Sequence, residues 1–227
     1  MRVKICGITR PEQGVAIARC GANSLGFICV SSSPRAVTPA QIRTVTDQLW
    51  SQLPAAEVPD RLGVFADASL SQIQDTVLAG GLNGVQLHSQ EPPEFCAALR
   101  AAFRKLNQDV DIVKALRIRT AADLAQAALY ADQVDALLLD AYDPVQLGGT
   151  GHTLDWTALR DFRPGCAWIL AGGLNASNIS RALMLLDPDG IDLSSGVERA
   201  PGDKDLAQVA QFFEVLANLK KPQIVPS

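Results

Sequence analysis

Two side chains and two glycine-bearing stretches of this chain could do chemistry. Lys4-Ile5-Cys6-Gly7-Ile8-Thr9 sets a thiol at the end of an alternating run, and Val134-Asp135-Ala136-Leu137-Leu138-Leu139-Asp140 sets a carboxyl at the end of another. Ala171-Gly172-Gly173-Leu174-Asn175 and Ser194-Ser195-Gly196 are the stretches rich in glycine and serine. A thiol and a carboxyl flanking a substrate would let one take a proton while the other gives one. A free thiol titrates near ~8.5 and an aspartate near ~3.9, so that chemistry requires Cys6 to ionise and Asp140 to keep its proton. Glycine lets backbone N–H groups close on an anion, and a following helix N-terminus adds partial positive charge, which suits a phosphate. Each feature also has a plainer reading. Cys6 could be a small buried hydrophobe, Asp140 a helix cap or half of a structural ion pair, and Gly172-Gly173 a tight turn.

The elements that must position these groups follow from periodicity. Val3-Lys4-Ile5-Cys6 has the period of two of a strand, with Lys4 and Cys6 on one face. Gly7 ends it, and Thr9 before Arg10-Pro11-Glu12 is expected as a helix N-cap. Further strands are expected at 24–30, 62–65, 84–88, 111–116, 134–140, 167–171 and 190–193. Helices are expected between them at 11–20, 38–52 and 69–80, from 92 onward, at 120–131, 155–160 and 175–186, with a last one from 203 to 220. Eight strands alternating with eight helices, without a composition break, imply a parallel α/β sheet closed into one (β/α)8 TIM barrel over residues 1–227. Functional groups gather at the C-terminal strand ends of such a barrel, and the ends of strands seven and eight are a common phosphate site. Strand eight closes onto strand one, so Lys4 and Asp192 are expected to form an interior ion pair.

Composition bounds the partners. The chain has 227 residues, 48% hydrophobic and 19% charged, with a net charge of −4 and a pI near 5.2. That balance gives no electrostatic case for nucleic acid or an anionic membrane surface, and no apolar run nears the ~18 residues of a membrane span. The five cysteines, at 6, 20, 29, 96 and 166, form no Cys-x-x-Cys, and there are two histidines. Neither a zinc site nor a disulfide framework is indicated, so no metal is expected. The N-terminus enters a strand directly and shows no signal peptide. A cytoplasmic, reduced monomer is expected, with a small phosphorylated molecule as its partner.

The motifs also carry a resemblance. In order along the chain stand Lys4-Ile5-Cys6-Gly7-Ile8-Thr9, Gly26-Phe27-Ile28 with Ser33-Pro34-Arg35, Gly63-Val64-Phe65, and Val85-Gln86-Leu87-His88. Leu138-Leu139-Asp140, Gly148-Gly149-Thr150-Gly151, Ala171-Gly172-Gly173-Leu174, and Ser194-Ser195-Gly196-Val197-Glu198 with Gly202, Lys204 and Asp205 follow. Together they resemble the successive signatures of the phosphoribosylanthranilate isomerase family, over nearly the whole chain.

The resemblance implies a cofactor-free Amadori rearrangement in tryptophan biosynthesis, from N-(5-phosphoribosyl)anthranilate to 1-(2-carboxyphenylamino)-1-deoxyribulose 5-phosphate. It assigns the general base to Cys6, the general acid to Asp140, and the contact to the anthranilate carboxylate to Arg35. The phosphate is expected on Gly172, Gly173, Ser194 and Ser195, with Gly149 from the long loop after strand six. Gln86 and His88, ending strand four, are expected in the pocket wall, a packed and hydrogen-bonded histidine being the alternative. Ser89, Cys29 and Ala36 depart from the usual residues of the family and bear on the pocket walls and loop stiffness. Three alternatives share the barrel: the dual-substrate sugar isomerase of histidine and tryptophan synthesis, indole-glycerol-phosphate synthase, and a non-catalytic phosphosugar-binding barrel. An aspartate in place of Cys6 would mark the first, a lysine-rich catalytic set the second, and loss of Cys6 or Asp140 the third.

Overall fold

A computed structural model describes residues 1–118, 121–141 and 156–219. Eight parallel strands close into a barrel in chain order: β1 (Arg2–Cys6), β2 (Ser24–Ile28), β3 (Asp60–Phe65), β4 (Gly84–Leu87), β5 (Asp111–Ile118), β6 (Ala136–Ala141), β7 (Ala167–Leu170) and β8 (Gly190–Leu193). β8 pairs with β1 in a register that sets Lys4 opposite Asp192. The expected α/β barrel is therefore the observed one.

The outer layer holds α1 (Pro11–Arg19), α2 (Pro39–Gln52), α3 (Leu70–Gly80), α4 (Pro93–Lys105), α5 (Ala127–Tyr130), α6 (Ile179–Leu185) and α7 (Leu206–Leu219). Local chemistry sets their ends. Thr38 with Gln41 and Ser69 with Gln72 form capping boxes at α2 and α3, each satisfying two orphan backbone donors. α3 ends at Gly81, whose φ of 67° is the left-handed value glycine adopts without a Cβ penalty. The large apolar core lies between strands and helices, around Ile5, Leu25, Phe27, Leu137, Leu170 and Phe212. A second, small cluster of Leu62, Val113, Ala115, Leu138 and Ala171 fills the barrel interior.

A four-fold device closes the N-terminal floor. Asn23 Oδ1 accepts from the N–H of Val3 at 2.8 Å, Asn83 Oδ1 from Arg61 at 2.7 Å, Asp135 Oδ2 from Ile112 at 2.7 Å, and Asp189 Oδ2 from Trp168 at 2.9 Å. Each acceptor precedes an even-numbered strand and ties it to the odd-numbered one before. The residue after each acceptor is small: Ser24, Gly84, Ala136 and Gly190. A Cβ on Gly84 would lie 2.6 Å from Leu62 Cγ, so the small residue of one strand makes room for the large residue of its neighbour.

Several local expectations change. Thr9 is not the cap of α1: the N-cap is Arg10, without a side-chain bond, and the Thr9 hydroxyl donates to Gly202 O at 2.6 Å. The last helix does not open at Asp203. Asp203–Lys204 forms a strand, β10, antiparallel to β9 (Glu198–Ala200), and α7 begins at Leu206. Asp205 accepts from the N–H groups of Ala207 and Gln208 and acts as its cap. After β5 the expected helix is a 3-10 turn, Ala121–Gln126, followed by the single turn of α5, and its first expected residue, Thr120, lies outside the described residues. After β6, only Trp156–Leu159 is described as a 3-10 turn. The helix expected over 175–186 shrinks to α6, because Asn175 and Asn178 bind the carbonyl of Gly173 and hold the chain in a turn.

Candidate active site

β1 brings Cys6 to the barrel mouth on the same interior face as Lys4. The thiol is 6% exposed, and a Cβ on Gly26 of β2 would lie 2.7 Å from its Sγ and 3.0 Å from Lys4 Nζ. Glycine at 26 therefore makes the space that the thiol and ammonium occupy. Lys4 Nζ donates to Asp192 Oδ1 at 3.0 Å, the interior ion pair expected from the strand order. Burial works most strongly against the charge on Lys4, but Asp192 and Cys6 together outweigh it and hold the ammonium's pKa above the ordinary value. Burial also pushes the Cys6 thiol upward, opposed by the positive charges of Lys4 and Lys204. The direction is opposite to what a resting thiolate requires, because desolvation penalises the anion more than the two cations favour it.

Asp140 ends β6 on a different side of the same mouth. His88 Nε2 lies 3.4 Å from Asp140 Oδ2, and Gln86 Nε2 lies 2.9 Å from His88 Nδ1. Cys6, Gln86, His88, Asp140, Gly172, Gly173, Ser194 and Ser195 all line one cavity of about 530 Å³. That volume lies in the usual range of small-molecule sites.

One wall of the cavity is formed by the glycines and serines that follow β7 and β8. Gly172 and Gly173 follow β7 at φ of 96° and 64°, and their N–H groups have no acceptor among the described residues. Ser194, Ser195 and Gly196 follow β8 beside them, and a Cβ on Gly196 would overlap the carbonyl of Leu174. The Ser194 hydroxyl donates to Cys6 O at 3.3 Å, linking this wall to the thiol strand.

Arg35 is held beside the mouth by a keystone carboxylate. Its Nε and Nη2 donate to Glu198 at 3.0, 3.1 and 2.6 Å. Glu198 also accepts from Lys204 Nζ at 2.8 Å and the Gly202 N–H at 3.1 Å, while Lys204 Nζ donates to Ser194 O at 3.1 Å. Burial alone would raise the Glu198 carboxyl, but its bonds to Arg35 and Lys204 hold it below the usual range. Arg35 itself is not in the cavity wall; Ser32 and Ser33 of its loop are. Its Nη1 donates to no group among the described residues. Gly149 lies outside the described residues.

Residues 3–215 match the family model described as N-(5'phosphoribosyl)anthranilate (PRA) isomerase. The chain belongs to the phosphoribosylanthranilate isomerase family. A named member, the N-(5'-phosphoribosyl)anthranilate isomerase of Trichormus variabilis, is 58% identical over 219 residues, covering 96% of this chain and 99% of its own. The crystal structure of phosphoribosyl anthranilate isomerase from Thermotoga maritima superposes with a TM-score of 0.82 at 32% identity, covering 96% of this chain and 99% of that one. A phosphoribosyl anthranilate isomerase solved with reduced 1-(o-carboxyphenylamino)-1-deoxyribulose 5-phosphate superposes at 0.79 with 30% identity and the same coverage.

Sequence reasoning overlooked parts of this site. Arg117 lines the cavity from β5, in register with Asp140. Its signal was available, since it continues the inward series Val113, Ala115. Asp192 was expected only as the structural partner of Lys4, yet it too faces the cavity. Glu198 and Lys204 stood in a motif without a role, because the hairpin that joins them was not foreseen.

Proposed function

We propose that this chain converts N-(5'-phosphoribosyl)anthranilate to 1-(2-carboxyphenylamino)-1-deoxyribulose 5-phosphate, working over residues 1–227 as one catalytic domain. The carrying observation is that a thiol and a carboxyl from different sides of the barrel line one cavity with a wall of glycines and serines. Membership of the phosphoribosylanthranilate isomerase family supports the same reading.

In this reading the phosphate rests on Gly172, Gly173, Ser194 and Ser195. Gly149 belongs to the same set by its motif. Arg35 offers Nη1 to the anthranilate carboxylate while Glu198 holds the rest of the guanidinium, so the fork is oriented before substrate arrives. Asp140 gives its proton to the ribose ring oxygen as the C1'–O bond breaks, and the anilino nitrogen's lone pair forms the Schiff base. Cys6, as thiolate, then takes the C2' proton, and the electron pair of that bond flows to the imine to give an enolamine. Tautomerisation of the enolamine yields the ketone, so the net change is an isomerisation without cofactor. Lys4 and Lys204 are the cations that favour the thiolate. The protein acts in this reading as a cytoplasmic monomer, and among the described residues no helix is long and apolar enough to cross a membrane.

The test is direct. Phosphoribosylanthranilate generated in situ is mixed with the purified chain, and its loss is followed with the product identified by mass and NMR. Conversion to the deoxyribulose phosphate is expected; binding of phosphosugar without turnover would leave only the non-catalytic barrel.

A further inference from the structure

We propose that Gln86 is a positioning residue for the acid Asp140, acting through His88. The Gln86 amide fixes the tautomer of the imidazole, and the imidazole fixes which carboxyl oxygen carries the transferable proton. The inference rests on the isomerase reading above and goes beyond it by assigning a residue that need not touch the reacting atoms.

Gln86 and His88 are two positions apart at the end of β4, so both point into the barrel. Gln86 is 1% exposed, and its amide nitrogen lies 2.9 Å from His88 Nδ1. An amide nitrogen only donates, so the Nδ1 it faces is a bare acceptor and the neutral ring carries its proton on Nε2. That Nε2 lies 3.4 Å from Asp140 Oδ2. Oδ2 then faces the imidazole N–H across 3.4 Å, which favours a protonated Asp140 that carries its own hydrogen on Oδ1. As that proton passes to the substrate's ring oxygen, the imidazole N–H stays beside Oδ2 of the carboxylate left behind, and their attraction favours the same orientation before and after transfer.

A second observation separates this from mere packing. Gln86 Oε1 is buried without a hydrogen-bond partner among the described residues. A side chain kept only to fill the interior would be better replaced by an apolar one of the same volume, because an orphaned buried acceptor is costly. Gln86 retains that cost and uses its other end on His88. Among the described residues, Lys4 and Asp192 from β1 and β8, and Arg117 from β5, are the charged groups that share this part of the mouth.

The chain has two histidines, so its imidazole nitrogen spectrum is simple enough to read directly. In uniformly 15N-labelled protein, the His88 ring is expected with its proton on Nε2 and Nδ1 bare. Gln86→Glu, which puts an acceptor against Nδ1, is expected to move the proton there. Both Gln86→Glu and Gln86→Leu should lower kcat about tenfold, a fraction of the ~10²–10⁴ of general acid catalysis, with KM changed less than about threefold. His88→Gln, which restores an N–H near the Nε2 position, should retain at least about tenfold more kcat than His88→Ala. A wild-type ring protonated on Nδ1 would overturn the inference, as would Gln86→Leu with undiminished kcat or equal losses in the two His88 variants. Failure of the wild-type chain to convert substrate would overturn the isomerase reading and this inference with it. Wild-type conversion with any of the three contrary results overturns this inference alone.

Discussion

Glu198→Gln tests whether one carboxylate ties the Arg35 loop to the β9–β10 hairpin that carries Gly202 and Lys204. The substitution keeps the side chain's size and removes its charge. In the native protein the carboxylate takes three bonds from Arg35 and one each from Lys204 and Gly202, with its side chain 3% exposed. The amide cannot accept at both ends, so one end would turn a donor toward Arg35 or Lys204. Breaking a buried pair costs about 3–5 kcal/mol. The side chain of Arg35 is 20% exposed and can recover water, which points to the lower end, about 3 kcal/mol. For a domain of this size that is a fall in Tm of about 6–12 °C. Because the native carboxyl titrates below its ordinary 4.5, the stabilisation is present above about pH 4.5 and is lost as pH falls through the lower native value. Thermal unfolding followed by circular dichroism at pH 7 and pH 3 is the assay. The gap between wild type and variant should be widest at pH 7 and narrow toward pH 3. A gap under about 1 kcal/mol at pH 7, or one that does not narrow, would refute the keystone role.

Other perturbations report on neighbouring parts. Gly26→Ala places a Cβ 2.7 Å from Cys6 Sγ and 3.1 Å from Cys6 Cα, and should destabilise the fold by about 1–3 kcal/mol while displacing the thiol. Urea denaturation should show that loss, and activity should fall further than the unfolded fraction explains; unchanged activity would contradict the packing. Lys114→Met removes the ammonium that donates to Ser89 O at 2.6 Å and Glu91 Oε2 at 2.8 Å, leaving a carboxylate 4% exposed. Its cost should be about 3–5 kcal/mol by chemical denaturation, and less than about 1 kcal/mol would show the pair to be incidental. Because burial raises the Cys6 thiol and the positive charge of Lys4 opposes that shift, Lys4→Met should move the titration of the thiol to still higher pH, read from the pH dependence of Cys6 alkylation. A Cys6 titration that Lys4→Met leaves unmoved, or moves down, would contradict this account of the thiolate.

Much of the fold was legible because a barrel repeats one local rule. Alternation put Cys6 and Asp140 at strand ends, and closure of strand eight on strand one put Lys4 against Asp192, now 3.0 Å apart. The expectations that failed depend on partners remote in sequence. Thr9 has the composition of a cap, but its hydroxyl is taken by Gly202, 193 positions later. Asp203-Lys204 resembles the acidic start of a helix, but Glu198 captures Lys204 and folds the segment into a hairpin. The arginine loop shows the same limit in the site: Ser33-Pro34-Arg35 announces a cation, and only the structure shows Glu198 holding it. The floor device is written openly in Asn23-Ser24, Asn83-Gly84, Asp135-Ala136 and Asp189-Gly190, yet its meaning needs the register of four strand pairs.

The central claim is that Cys6 and Asp140 are the base and acid of one reaction. Steady-state turnover of phosphoribosylanthranilate by Cys6→Ser and Asp140→Asn, beside wild type and with folding checked by circular dichroism, tests it most directly. Each variant should lose about 10²-fold or more in kcat while keeping native secondary structure. A folded variant of either residue that retains a tenth or more of the wild-type kcat would contradict the assignment.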